Sequence, residues 1–241
     1  MKKILVISLT LVLAVCGAQA QTKNTGKVPA RNVNTTATKG DGTTKVAGPK
    51  VLKIMELPNP EVGLDAPLQK AFSSRATIRD IREEDLPIEL LSSLLWSAYG
   101  INRPEETKRV VPSAVNVQEF DIYLFTREGI YIYNAEKNNI CLLLEGDHRA
   151  EISSQKHFAV APVSIVMVAN YDRMKVFKSE EDRDFYAAVD AGYISQNIYL
   201  FCASADLATV ACGGIDRDTI HKILGIKNGK AILAHPVGLN H

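Results

Sequence analysis

The segment from Asp184 to Ala205 carries the longest helical pattern in the chain, and its apolar residues do not keep to one side. Phe185, Val189, Ile194, Ile198, Tyr199, Leu200 and Phe201 spread over more than one face. A surface helix shows a single apolar stripe; a helix apolar nearly all round is buried centrally or in a subunit interface. The remaining elements must therefore enclose it. With 241 residues, 46% of them hydrophobic, the chain can build one sizeable core for that purpose.

The other periodic segments supply the enclosure. Ala66 to Ser74 reads as a short helix and Pro87 to Tyr99 as a stronger one, with Asp85 as N-cap, Pro87 in the first turn and Gly100 as the stop. Ile88, Leu91, Leu94, Leu95 and Ala98 share one face of the second helix. Phe120 to Thr126 is strand-like, and Ile130–Tyr133 with Ile140–Leu144 around an Asn/Lys turn reads as a hairpin. Asp147 to His157 reads as a helix and Val163 to Ala169 as a buried strand. After the long helix come a strand over Leu207–Ala211, a helix capped by Asp216 and running to Leu224, and a last strand over Ala231–Val237. Strands and helices mix without regular βαβ alternation, so the expected class is α+β. No internal repeat is visible.

The first fifty residues stand apart. Met1-Lys2-Lys3, the apolar run Ile4–Val15 and Ala18-Gln19-Ala20 form a secretory signal pattern with cleavage after Ala20. The run is too short for a spanning helix, which needs about 20 apolar residues. The expected location is outside the inner membrane, in a bacterial periplasm, with an uncleaved anchor or a lipid anchor at Cys16 as alternatives. Residues 21–50 contain no Leu, Ile or aromatic residue and seven Thr, and read as a flexible cationic linker. Residues 51–241 form the expected folded domain. That domain holds 20 basic and 26 acidic residues, a charge of −6, so nucleic-acid binding is not expected. No membrane span is expected in the mature chain.

Several chemistries find no support. G-x-G-x-x-G, H-E-x-x-H and G-x-S-x-G are absent, and Gly225-Ile-Lys-Asn-Gly229-Lys230 has three residues between its glycines where a phosphate loop has four. The five His show no ligand spacing on one helix face, so no metal is expected. Cys141, Cys202 and Cys212 remain after the signal; three small buried hydrophobes is one reading and a pairing between chains the other.

Three short segments carry candidate chemistry. In Ser74-Arg75-Ala76-Thr77-Ile78-Arg79, Arg75 and Arg79 flank Thr77 at a spacing of four, and guanidinium forks with a hydroxyl suit a small anion such as phosphate. The bland alternative is surface arginines paired with Asp80, Glu83 or Glu84. In Val111-Pro112-Ser113-Ala114-Val115-Asn116-Val117-Gln118, a proline turn can present backbone N–H groups and amides to a heterocycle edge, or can simply start a helix with Ser113 as cap. In Ala211-Cys212-Gly213-Gly214-Ile215-Asp216, paired glycines permit close backbone approach to a flat ligand, or make a tight strand-to-helix turn.

Taken in order with Leu95-Trp96-Ser97-Ala98-Tyr99-Gly100-Ile101-Asn102-Arg103, Asp190-Ala191-Gly192-Tyr193-Ile194-Ser195-Gln196-Asn197 and Pro236-Val237-Gly238, these segments resemble the nitroreductase family from about Leu68 to Gly238. The likeness is greatest to the SagB-type dehydrogenase branch of thiazole/oxazole-forming oxidases. It implies an α+β fold with a central antiparallel-rich sheet flanked by helices and an FMN site at a homodimer interface. By the same resemblance Arg75 meets the FMN phosphate, with Ala76, Thr77 and Arg79 along the ribityl chain and pyrimidine edge. Pro112, Ser113, Ala114 and Asn116 form a loop at the flavin, partly from the second subunit. Gly213 and Gly214 lie beside N5, and Tyr193 or Asn116 contacts substrate. No side chain is required as acid or base, since flavin N5 carries a ping-pong two-electron transfer to or from a small molecule or peptide azoline.

Two departures from the family bear on this. The sequence runs only Leu239-Asn240-His241 after Gly238, without the basic residues that clamp the phosphate in many relatives, leaving His235 as the basic candidate there. NAD(P)H, the family's common donor, is scarce outside the cytoplasm. The alternative reading is a non-catalytic ligand-binding or interaction protein that keeps the fold.

Overall fold

A computed structural model of the chain describes residues 50–60 and 67–241. The signal pattern and nearly all of the cationic linker lie outside the described residues. In chain order the elements are β1 (Lys53–Glu56), α1 (Leu68–Ser74), α2 (Ile88–Tyr99), β2 (Ile101–Arg103), β3 (Lys108–Arg109), β4 (Phe120–Thr126), β5 (Gly129–Asn134), β6 (Asn139–Glu145), α3 (Lys156–Val160), β7 (Val163–Asn170), α4 (Glu180–Ser204), β8 (Leu207–Thr209), α5 (Arg217–Leu224) and β9 (Gly229–Leu239). Seven strands form one sheet in the order β1-β6-β5-β4-β7-β9-β8, and each neighbouring pair is antiparallel. This is the expected α+β class with a central antiparallel sheet.

Strand periodicity divides the core into two layers. On β4, Phe120, Ile122 and Leu124 point to the layer under α2 and α4, and Tyr123 and Phe125 to the layer under α5. On β7, Val163, Ile165 and Met167 face the first layer, Val166 and Val168 the second. A strand buried on both faces needs this unbroken apolar run, which is what Val163–Ala169 carries.

α4 is the central helix that its pattern requires. Ala187, Ala191, Ile194, Ile198, Phe201 and Cys202 are buried, while Phe185, Val189 and Tyr193 on another side are exposed. The helix begins earlier than its apolar pattern, at Glu180. Ser179 caps it by accepting a hydrogen bond from the Asp182 N–H, and three acids in the first turn meet the positive end of the helix dipole. On α5 the Asp216 carboxylate accepts from Thr219 N–H, as expected.

Three expectations are corrected. Asp85 does not cap α2: Pro87 occupies the cap position without a side-chain bond, and the Asp85 carboxylate faces Arg127 at 3.9 Å. Asp147–His157 is not one helix but a 3-10 turn over Arg149–Glu151 followed by the short α3. The cause is Arg149, buried at 5% exposure, whose guanidinium grips the Asp147 carboxylate two residues back and donates to the carbonyls of Val160 and Ala161. An i,i+2 pair does not share a helix face, so this contact and helix propagation exclude each other. Finally, Pro112–Gln118 is not an ordinary helix start. A 3-10 turn spans Ala114–Asn116, with Val115, Asn116 and Gln118 at positive φ of 44°, 58° and 50°. Such backbone is costly for a β-branched residue and needs outside support.

Gly238 on β9 explains how the segment after α1 is seated. A Cβ there would stand 2.6 Å from Ile81 and 2.8 Å from Pro162, so only glycine lets the chain of residues 75–82 lie against this strand. Ile78 N–H then donates to Thr209 O, and Arg82 N–H to Leu239 O.

Candidate functional site

That seating brings the first and third candidate segments together. Tyr199 of α4 joins them: its hydroxyl lies 3.0 Å from Thr77 Oγ1 and accepts from Ala211 N–H at 2.8 Å, and the Arg75 guanidinium sits 5.3 Å over its ring. Arg79 is near enough for its charge to act on two groups beside the glycine doublet. Burial first, and then Arg79, hold the His157 imidazole below its ordinary range. On Cys212 burial raises the thiol and Arg79 opposes it. Cys212 Sγ and His157 Nε2 are 3.5 Å apart.

Arg75 and Arg79 do not pair with the neighbouring acids among the described residues. Arg82 takes Glu84, His241 takes Asp80, and Arg127 donates to the Glu83 carbonyl. Among the described residues neither Arg75 nor Arg79 forms an ion pair, and both are exposed. Two unpaired guanidinium groups and a threonine hydroxyl thus share one rim.

The glycine doublet is braced from behind. Ser153 Oγ and Gln155 Nε2 donate to Gly214 O, Arg217 Nη2 donates to Gly213 O, and Asp216 N–H donates to Ile152 O. Both glycines are exposed, and among the described residues neither backbone N–H meets an acceptor. The turn itself does not demand glycine. Neither residue has positive φ, and an added Cβ would find only ordinary contacts, 3.7 Å to Leu233 and 3.6 Å to Gln155. The space a Cβ would fill, two free donors and two free cations make a cradle for an anionic, flat ligand.

The second segment is not joined to this cradle within one chain. Its anchor is Asp190, whose carboxylate accepts from Ala114 N–H at 2.7 Å, while Ser113 Oγ accepts from Gln118 N–H at 3.0 Å. Asp190 lies nine residues before Tyr199 on α4, a rise of about 13 Å. Pro112 and Asn116 are exposed, and Tyr193, exposed at 46%, lies on α4 between the two regions. His235 does not belong to the rim. It is fully buried, its Nε2 is 2.8 Å from Ser195 Oγ and its Nδ1 3.1 Å from Thr209 Oγ1, and burial pushes its pKa down to about 3. It is a neutral core histidine and supplies no cation to an anion.

Sequence reasoning missed the carboxylate pair under the second segment. Glu119, with no exposed surface, lies beside Asp190, and its two buried carboxylate oxygens have no hydrogen-bond partner among the described residues. Burial first, and the Asp190 charge in addition, push the Glu119 pKa up to about 7; burial raises Asp190 as well. The pair therefore holds one proton that an exposed pair would release, and Asp190 is left as the acceptor for Ala114. The signal was an acid on the inward face of an apolar helix, among Ala187, Ala191 and Ile194.

Of the cysteines, Cys202 and Cys212 are buried and Cys141 is half-buried, and none of the three is bonded to another.

Residues 72–239 match the family model described as the Nitroreductase family. A protein of Methanocaldococcus jannaschii whose name assigns it to the nitroreductases is 31% identical over 195 residues, covering 76% of this chain and 96% of that one. A crystal structure from Ralstonia eutropha, likewise titled as a nitroreductase, superposes with a TM-score of 0.73 at 29% identity, covering 78% of this chain and 90% of that one. The NADPH:FMN oxidoreductase of Vibrio harveyi, solved with NAD+, shares the fold at a TM-score of 0.53 and 17% identity, over 71% of this chain and 68% of its own.

Proposed function

This chain belongs to the nitroreductase family, and from that premise we propose that it is an FMN-dependent oxidoreductase whose flavin lies between the Arg75–Arg79 segment and the Gly213–Gly214 turn. The observation that carries the reading is the cradle: unpaired Arg75 and Arg79, exposed Thr77, and two glycine N–H groups with no acceptor among the described residues. FMN, when bound, supplies two-electron transfer at N5, with donor and acceptor taking turns at one face.

The chain's own residues hold and bias that group. Arg75 and Thr77 would take the phosphate, a forked cation and a hydroxyl matching its oxygens. Arg79 would face the pyrimidine edge, where a fixed cation favours the negative charge of the reduced state. The Gly213 and Gly214 N–H groups would meet the ring near N5, held in place by Arg217, Ser153 and Gln155 behind them. Ala76 lies between the two phosphate ligands, Arg75 and Thr77, as a small spacer.

Completing the site is the proposed role of a second copy. Leu68, Phe72 and Phe185 are more than half exposed, and Val115 is 72% exposed at positive φ. Apolar side chains of this size left open on α1, α4 and the 112–118 loop suit a homodimer interface. Through it Pro112, Ser113, Ala114 and Asn116 of one protomer would reach the flavin of the other, with Asn116 and Tyr193 toward substrate.

An exported location remains our proposal on the signal pattern, and with it a reductant other than NAD(P)H. The SagB-type likeness offers a substrate class, peptide azolines oxidised with electrons passed onward.

The test is direct. Purified protein should be yellow and release FMN on denaturation; a protein still colourless after incubation with FMN ends this reading in favour of a non-catalytic binding role. A second variant separates ligand approach from fold. Replacing both Gly213 and Gly214 by Ala should leave the melting temperature unchanged or raise it slightly, because the backbone tolerates a Cβ there and the unfolded chain loses freedom, about 0.4–1 kcal/mol per site. The same variant should bind FMN at least about tenfold more weakly, the scale of one displaced hydrogen bond. Unchanged FMN affinity by titration would show that the ring lies elsewhere.

A further inference from the structure

Tyr199 sits where three supports of the cradle meet, and the proton count at its hydroxyl has a consequence for Thr77. The phenolic oxygen already accepts from Ala211 N–H. Its 3.0 Å contact with Thr77 Oγ1 can run either way. If Thr77 donated, the phenol would accept twice, and its own proton would have no acceptor among the described residues. A phenol is the better donor and an aliphatic hydroxyl the better acceptor, so the tyrosine proton goes to Thr77. The Thr77 hydroxyl proton then has no acceptor among the described residues and is free to donate outward, on an exposed side chain beside Arg75.

The tyrosine ring is fixed by the same kind of accounting. His235 packs against it at 5.2 Å with the planes at 79°. Thr209 Oγ1 donates its only proton to Pro236 O at 3.0 Å, so it must accept from His235 Nδ1–H, and Nε2 then accepts from Ser195. Every hydrogen-bonding atom of the histidine is used, which locks the ring that backs Tyr199. His235 thus supports the site in place of the phosphate contact expected of it.

We propose that Tyr199 is a positioning residue: by donating to Thr77 it turns the threonine hydroxyl into a donor for a phosphate-type anion, and it holds Arg75 over the same spot. The inference rests on the flavin reading of the cradle. FMN and riboflavin differ only in the phosphate, so their affinity ratio isolates the effect. Tyr199→Phe keeps the ring and the Arg75 contact but removes both the proton given to Thr77 and the acceptor of Ala211 N–H, whereas Thr77→Val leaves the latter in place. Its FMN affinity should fall about tenfold, the scale of a hydrogen bond to a charged group. Its riboflavin affinity should stay within about twofold, and Thr77→Val should do the same. The double variant should be no weaker than either single one by more than about twofold, since both break one coupled contact.

Equal losses for both flavins in Tyr199→Phe would make the tyrosine a merely structural support and overturn the proposal. Additive losses in the double variant would overturn it too, by separating Thr77 from Tyr199. If the wild-type chain binds neither flavin, the flavin reading falls and the inference falls with it. If it binds FMN and the variants behave otherwise, the inference alone falls.

Discussion

In a flavin titration, Arg75→Ala should bind FMN about 1.5–3 kcal/mol more weakly than the wild-type chain, the range for a hydrogen bond to a charged group. The loss should be large because no acid among the described residues pairs with this guanidinium. Of the acids within reach in sequence, Glu84 is engaged by Arg82 and Asp80 by His241, none pairs with Arg75 among the described residues, and the Arg75 guanidinium rests on the face of Tyr199. For the same reason the fold should barely notice. An exposed cation–π contact contributes about 0.5–1 kcal/mol, so thermal unfolding of the variant should shift by a few degrees at most. Arg75→Lys should recover part of the affinity: it restores the charge but not the fork that matches two phosphate oxygens. A variant that binds FMN as the wild type does would move the phosphate away from α1. One that unfolds would contradict the surface placement of Arg75.

Much of the scaffold behind this prediction was readable from residues alone, and the limits have physical causes. Val163–Ala169 declared a doubly buried strand because no polar residue but Ser164 interrupts it. The long helix declared its central place by apolar residues on several sides. What periodicity cannot show is a side chain that overrides its own neighbourhood. Arg149 turns back on Asp147 and breaks the helix that the pattern of 147–157 favours. β1 and the β2–β3 ribbon are four, three and two residues long and contain no buried residue, too short for alternation to register. At the site, the Arg75–Arg79 spacing and the glycine doublet were visible as local motifs. Tyr199 was visible only as one more apolar residue of the helix, because its partner Thr77 is 122 positions away. Glu119 and Asp190, 71 positions apart, escaped for the same reason.

That carboxylate pair should contribute stability that is lost as pH rises. Glu119 has no exposed surface, and Tyr99 from α2, Asp190 from α4 and Arg173 from the segment between β7 and α4 act on it. Arg173 is spent on Asp121 and on the carbonyls of Gln118 and Phe120, and Arg109 stacks on the Tyr99 ring. Burial therefore dominates, and with Asp190 beside it Glu119 keeps its proton up to about pH 7, against an ordinary value of 4.5. A raised pKa means that the folded chain binds a proton the unfolded chain has released. The associated stability is present below pH 4.5 and is lost as pH climbs, completely once it passes about 7. A shift of that size corresponds to roughly 3 kcal/mol. Glu119→Gln removes this titration, so its unfolding free energy should rise relative to the wild type between pH 5 and 7, a difference from which the opposing pH dependence of the depressed histidines His157, His221 and His235, common to both, cancels. Asp190→Ala removes the acceptor of Ala114 N–H as well and should destabilise at every pH, by about 1–3 kcal/mol for the buried group left unpaired. Because Asp190 anchors the left-handed turn of 114–118 at Ala114, beside the Ser113–Gln118 bond, this second variant should also loosen that loop, seen as faster amide exchange there. Denaturant titrations across that pH range decide the matter. Parallel pH profiles for wild type and Glu119→Gln would mean that the pair is ionised throughout and that the strained loop is held by its backbone contacts instead.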